Sequence, residues 1–102
     1  MQQQPPASNA HAAEIVVANR QGLHARPVTE FVQLAHRFQS DVKVTKDGTT
    51  VDGKSVMSML TLGAARGATL RIEANGPDAV DVVGQLAELI RKLPEKEDRD
   101  DD

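Results

Sequence analysis

The spacing of apolar residues changes several times along this chain, and that alternation restricts the possible folds more than any other feature of the sequence. From residue 68 to residue 74 apolar and polar side chains alternate, as in a strand with one buried face. In two other segments the apolar residues recur every three or four positions, as on one side of a helix. Such a chain must pack helices against a sheet. The inward residues expected in the alternating strand are Ala68, Leu70, Ile72 and Ala74.

The two segments with helical spacing lie on either side of the middle of the chain. The first extends from residue 25 to about residue 38, and the second follows the strand-breaking residues 75–78 and stops before Pro94. Each carries one continuous apolar stripe that can face a core. The stripes are Val28, Phe31, Val32, Ala35 and Phe38 in the first segment, and Ala79, Val82, Val83, Leu86, Leu89, Ile90 and Leu93 in the second.

An Asp-Gly pair at residues 47–48 lies between two segments of alternating polarity. Such a pair favours the tight turn of a two-residue β-hairpin. A turn centred there places Lys46 opposite Thr49 and Val44 opposite Val51, so that both valines share one face. The sequence therefore predicts both a hairpin and its register.

A further strand and a short helix complete the pattern. Residues 14–19 are rich in β-branched side chains and predict a first strand. Ser55 is a favourable N-cap for a short helix that extends to about Leu62, and Gly63 can end it. The order strand, helix, strand, strand, short helix, strand, helix predicts an α+β fold with the helices on one face of an antiparallel sheet.

The chain has 102 residues, which suffice for one small domain, and we assign that domain to residues 14–93. Residues 1–13 are rich in Gln, Pro, Ala and Asn without periodicity, so we expect a disordered extension there. Residues 94–102 hold six acidic and two basic residues, which predicts a solvated, disordered tail.

Composition excludes several classes of function. The chain has no cysteine, which excludes disulfides and thiol catalysis and fits a reducing compartment. It has no apolar run long enough to cross a membrane, and its first residues do not resemble a signal peptide, so we expect a cytoplasmic protein. Ten basic and nine acidic residues between positions 14 and 93 give a net charge of only +1, whereas a nucleic-acid binder would show a concentrated basic face.

The segment with the most chemical information surrounds His24. Pro27 favours the first turn of a helix, so His24 lies just ahead of a helix N-terminus, where backbone N–H groups and the helix dipole favour an anion. Arg26 adds a permanent cation whose planar group suits phosphate oxygens. Gly22 allows the loop to turn without a side chain above the site.

These residues suit a nucleophile that accepts a phosphoryl group. A neutral imidazole is a competent nucleophile near neutral pH, and the nearby cation and helix N-terminus favour the neutral ring. The chain lacks a glycine-rich phosphate loop, clustered carboxylates for a metal and a Ser-His-Asp set, so we expect no metal and no cofactor. On these residues alone His24 can equally be an ordinary loop histidine. We expect His11 and His36 to have no catalytic role.

Residues 22–27, Gly-Leu-His-Ala-Arg-Pro, resemble the active-site signature of the HPr family, the histidine-containing phosphocarriers of the bacterial phosphoenolpyruvate-dependent phosphotransferase system. Residues 53–60, Gly-Lys-Ser-Val-Met-Ser-Met-Leu, are similar to the family's second landmark, a serine at the start of the short helix. Residues 62–68 resemble the segment that leads into the family's last strand. The resemblance covers residues 14–93.

The resemblance implies an open-faced β-sandwich with four antiparallel strands in the order 1-4-2-3. It implies that His24 is phosphorylated on Nδ1 by enzyme I and donates the phosphoryl group to an enzyme IIA protein. Arg26 would assist at the phosphate. Ser55 would be a regulatory site for a serine kinase and phosphorylase, although its role as an N-cap is reason enough for a serine there.

We also expect an exposed apolar docking patch formed by Leu23, Val56, Met57 and Leu60, on a protein that is a monomer. Methionine suits a surface that must pack against several partners in turn. In a helix that begins after Ser55, positions 56, 57 and 60 share one side, and Met59 can face the sheet. The alternative is that these residues belong to the core.

Two other functions compete with a carrier for sugar transport. A regulatory relay of the nitrogen-type phosphotransferase system would use His24 in the same way and signal through its phosphorylation state. A small ligand-binding α+β module without covalent chemistry would bind a metabolite and ignore enzyme I and phosphoenolpyruvate.

Overall fold

The computed structural model describes residues 10–93. Four strands form one antiparallel sheet in the order β1-β4-β2-β3, and three helices accompany it. The resemblance implied this strand order, and it is confirmed. The elements are β1 (Ala10–Val16), α1 (Ala25–Ala35), β2 (Asp41–Lys46), β3 (Thr49–Asp52), α2 (Val56–Thr61), β4 (Thr69–Asn75) and α3 (Ala79–Arg91).

Strand β4 lies in the middle of the sheet and shows how its two faces differ. Leu70, Ile72 and Ala74 are buried under the helices, whereas the residues between them are exposed. This alternation is the one that the sequence predicts for residues 70–74. The sheet therefore has one face on the core and one face in solvent, which is the open-faced arrangement.

The hairpin between β2 and β3 has the predicted register. Val44 is paired with Val51, and Lys46 is paired with Thr49. The two turn residues both have positive φ, 51° at Asp47 and 81° at Gly48, as a type I′ turn requires. Residues 47–48 therefore determine the register locally.

Strand β1 is the main departure from the sequence-based expectation. It occupies Ala10–Val16 rather than residues 14–19, and it pairs along its whole length with β4, from Ala10 opposite Asn75 to Val16 opposite Thr69. Residues 10–13, Ala-His-Ala-Ala, have little strand propensity of their own but pair through their backbone with a long neighbouring strand. The prediction that the disordered extension reaches residue 13 is therefore wrong. The rest of that extension, residues 1–9, and the expected tail at residues 94–102 lie outside the described residues.

Helix α1 is shorter than the apolar stripe suggests, because it ends at Ala35 and continues only as a turn. The Phe38 N–H bonds to the Ala35 carbonyl at 3.2 Å, and Phe38 remains partly buried against the core. The stripe of α3 is buried as predicted except that Leu89 is partly buried and Ala87 joins the core. No helix among residues 10–93 is long and apolar enough to cross a membrane.

Asp78 connects the start of α3 to the turn before β2. Its carboxylate accepts the N–H groups of Gln39 and Ser40, each at 2.9 Å, and the Ser40 hydroxyl at 2.5 Å. The Asp78 N–H in turn donates to Ser40 Oγ at 3.2 Å. The Ser40 hydroxyl and the backbone donors lower the pKa of Asp78. A side chain at Gly76 would collide with Ser40, because its Cβ would lie 2.5 Å from Ser40 Oγ.

We expect Asp78→Asn to lower the melting temperature at neutral pH more than Asp81→Asn, a change of an exposed acidic residue in the first turn of α3. The folded-state pKa of Asp78 lies below its ordinary value of 3.8, so the carboxylate stabilises the fold fully above that value. Its contribution is lost as the pH falls through the lower, folded-state pKa. Thermal unfolding between pH 7 and pH 2 should show the gap between wild type and Asp78→Asn closing on acidification. A gap that is constant with pH would contradict this role.

Candidate functional site

His24 is the N-cap residue of α1. Its backbone is extended, with φ −105° and ψ −165°, and its carbonyl accepts the N–H of Val28 at 3.0 Å. Its side chain makes no capping hydrogen bond and is half-buried. The imidazole therefore stands at the helix N-terminus without serving as the cap.

The first turn of α1 provides a positive environment for that imidazole. The amides of Ala25 and Arg26 precede the first helical hydrogen bond, and amides at this position have no acceptor within a helix. The first turn contains no acidic residue, and Arg26 is exposed at the surface. The helix begins at Ala25 and not at Pro27, so Arg26 adopts helical geometry although it precedes a proline. The start of α1 therefore adjoins His24, and a role for Arg26 at a phosphate stays a prediction.

The loop before His24 is held by the segment that leads into β4. Gly22 has φ +70°, and a Cβ there would lie 2.5 Å from the Ala64 carbonyl oxygen. The next residue, Leu23, donates its N–H to the same oxygen at 2.8 Å. Gly22 is therefore required both for its conformation and for the close approach of Ala64. Sequence reasoning anticipated the glycine but not its partner.

The expectation that Leu23 belongs to the exposed docking patch is wrong. Its side chain is only 7% exposed and belongs to the core, because the bond from its N–H to Ala64 holds this part of the loop against the domain. The other patch residues lie on α2: Met57 is 74% exposed, Leu60 is 39% exposed, and Val56 is partly buried. Met59 faces the core, as expected.

Ser55 is the N-cap of α2, and its Oγ accepts the N–H of Ser58 at 3.2 Å. The residue before it connects α2 to the end of α1. Lys54 Nζ donates to the Phe38 carbonyl at 2.8 Å, and the His36 ring contacts the Lys54 carbonyl through Nε2, also at 2.8 Å. The predicted N-cap is confirmed. His36 has a structural contact that the helical pattern did not reveal.

His24 lines neither of two described surface cavities. One, of about 130 Å³, lies at residues 10 and 76–81, and the other, of about 280 Å³, lies between Leu34 and the last turns of α3. Within residues 10–93 no three His, Asp or Glu side chains cluster as metal ligands would.

Three comparisons with known proteins agree with this geometry. The family model described as "PTS HPr component phosphorylation site" matches residues 11–92. The phosphocarrier protein HPr of Neisseria meningitidis is 41% identical over 76 residues, which cover 74% of this chain and 85% of the relative.

Solved structures of the same family have the same fold. HPr from Bacillus anthracis superposes with a TM-score of 0.75 at 36% identity and covers 78% of this chain and 95% of its own. HPr-C-His from Thermoanaerobacter tengcongensis gives a TM-score of 0.79 at 35% identity, with coverages of 83% and 96%. The chain therefore belongs to the HPr family, the phosphocarrier proteins of the phosphotransferase system.

Proposed function

We propose that this protein accepts a phosphoryl group on His24 from enzyme I, which draws it from phosphoenolpyruvate, and donates it to an enzyme IIA protein of a sugar phosphotransferase system. The observation that carries the proposal is the position of His24 as the N-cap residue of α1, directly ahead of the amides that open the helix. A phosphoryl group carried by this residue would lie near the positive end of α1. These partners would be met in the cytoplasm.

The transfer needs little from the carrier beyond a nucleophile and a positive surface. A lone pair on neutral His24 Nδ1 forms the bond to phosphorus, while the bond from phosphorus to the donor breaks and its electrons leave with the donor. Amides at the start of α1 and the Arg26 guanidinium stabilise the charge on the phosphoryl oxygens. The same groups would stabilise the transition state of the second transfer, in which the acceptor attacks phosphorus and the bond from phosphorus to His24 Nδ1 breaks.

Docking would use α2, which packs beside α1. Met57 and Leu60 are exposed apolar side chains, and such side chains can pack against partners of different shape. Leu23 does not contribute its side chain, since it is buried. We therefore restrict the proposed patch to Met57 and Leu60, with Val56 at its edge, on a carrier that acts as a monomer.

Ser55 would regulate that docking if a serine kinase and phosphorylase act on it. Its Oγ already accepts a bond from the amide of Ser58, and phosphate oxygens at a helix N-terminus keep this accepting role. The modification adds a charge of about −1.5 to −2 at neutral pH. The charge would lie beside the apolar patch and weaken its docking on enzyme I while leaving α2 folded.

We expect His24→Ala to abolish phosphorylation. Incubation with enzyme I and phosphoenolpyruvate should add one phosphoryl group to the wild type, detected by intact mass at basic pH, where phosphohistidine is stable. His11→Ala and His36→Ala should retain it. A label that survives in His24→Ala would refute the assignment, and an unlabelled wild type would favour a ligand-binding module. If the phosphorylated protein donates only to a nitrogen-type IIA protein, it belongs to the regulatory relay of the nitrogen-type phosphotransferase system rather than to sugar transport.

We expect Arg26→Ala to slow phosphoryl transfer by roughly one to two decades, because a charge-assisted contact contributes about 1.5–3 kcal/mol. Its melting temperature should stay near that of the wild type, since the side chain is exposed. Arg37→Ala, an exposed arginine beyond the other end of α1, is the matched control. Stopped-flow kinetics with phosphorylated enzyme I measures the rate of phosphoryl transfer to both variants. Equal rates for Arg26→Ala and wild type would leave Arg26 without a role in transfer.

We expect Met57→Glu to weaken binding to enzyme I while leaving the melting temperature unchanged, since Met57 is exposed and the new charge is desolvated only in the complex. Val80→Glu places the same charge at an exposed apolar residue of α3 and should bind normally. Ser55→Asp should weaken binding less than Met57→Glu. Calorimetric titration measures the affinities. Unchanged affinity in Met57→Glu would exclude a docking role for this patch.

A further inference from the structure

Asn19 is a buried polar residue at the start of the loop that carries His24. Only 2% of its surface is exposed. Its side-chain Nδ2 donates to the Gly22 carbonyl at 2.8 Å, and its own carbonyl accepts the Gly22 N–H at 3.2 Å. Asn19 therefore contacts both the N–H and the C=O of Gly22.

These contacts fix the peptide group that joins Gly22 to Leu23. Its carbonyl is held by Asn19, and its N–H donates to the Ala64 carbonyl at 2.8 Å. Since a peptide group is planar, one bond at each end determines its orientation. His24 is the next residue, and on its other side the His24 carbonyl is held by α1. The backbone that bears the imidazole is thus constrained from both directions.

The two polar atoms of the Asn19 amide have opposite effects on stability. Its Oδ1 is buried and has no hydrogen-bond partner within residues 10–93. A buried acceptor without a donor destabilises a fold, which offsets part of the stability that the bond from Nδ2 to the Gly22 carbonyl contributes. The side chain is better explained by the geometry that its Nδ2 imposes on the loop.

We propose that Asn19 is a positioning residue for phosphoryl transfer: its bond to the Gly22 carbonyl sets the direction in which His24 presents its imidazole to the helix N-terminus and to the partner. The inference rests on the proposed function of His24. Asn19 is buried and does not touch a docked partner. Its loss should therefore reduce the rate of transfer within the complex and leave docking unchanged.

The first test compares Asn19→Ala with wild type in transfer from enzyme I, at a temperature where circular dichroism shows both to be folded. We expect kcat to fall about tenfold to a hundredfold, as small misplacements of a reacting group do, while the KM for the carrier stays constant. Ser40→Ala is the matched control, because Ser40 is 1% exposed and its hydroxyl holds Asp78 in another loop. Ser40→Ala should lower the melting temperature without lowering kcat.

The second test uses Asn19→Asp, which keeps the shape of the side chain but donates to the Gly22 carbonyl only when its carboxyl is protonated. Burial raises the pKa of such a carboxyl. The ratio of its kcat to that of wild type should therefore rise as the pH is lowered, and the ratio for Asn19→Ala should not.

A wild-type kcat in Asn19→Ala, or an equal loss in Ser40→Ala, would overturn the inference. Failure of both Asn19 variants to fold would make Asn19 a residue of stability alone and would overturn it as well. Failure of the proposed function is a different result, because wild type itself would then take no phosphoryl group from enzyme I.

Discussion

The site depends on the attachment of the chain between β1 and α1 to the chain between α2 and β4. Val17 exchanges backbone hydrogen bonds with Gly67 and Ala68 at 2.7 and 2.9 Å, and Leu23 bonds to Ala64 at 2.8 Å. These bonds close the loop that precedes His24 against a segment far away in sequence. Without them the helix would still have an N-terminus, but the imidazole would have no defined position before it.

The proposed chemistry at His24 relies on the start of a helix rather than on an enclosed pocket. A phosphoryl group on His24 would meet amides at the start of α1 and the exposed Arg26, and the first turn holds no acidic residue to oppose it. These groups stabilise an anion while leaving it open to solvent and partners. A carrier needs that balance, because a phosphoryl group enclosed by the protein could not be transferred to a second protein.

Much of the fold could be predicted because its determinants are local. Asp47 and Gly48 determine the hairpin, Ser55 caps α2, and alternation identifies β4. The features that the sequence did not reveal depend on contacts with residues far away along the chain. Residues 10–13 become a strand only by pairing with β4, and Leu23 is buried because its loop is bonded to Ala64. A local motif suggests His24 and Arg26, whereas no sequence pattern indicates Asn19, because its proposed role depends on the conformation of a loop.

We propose that the phosphoryl group is held on Nδ1 of His24 against the first turn of α1. Heteronuclear NMR of the 15N-labelled protein, before and after phosphorylation by enzyme I, tests it directly. We predict one phosphorus–nitrogen coupling, to Nδ1 of His24, together with large shifts of the Ala25 and Arg26 amides. Coupling to another residue, or coupling at His24 with those amides unmoved, would contradict it.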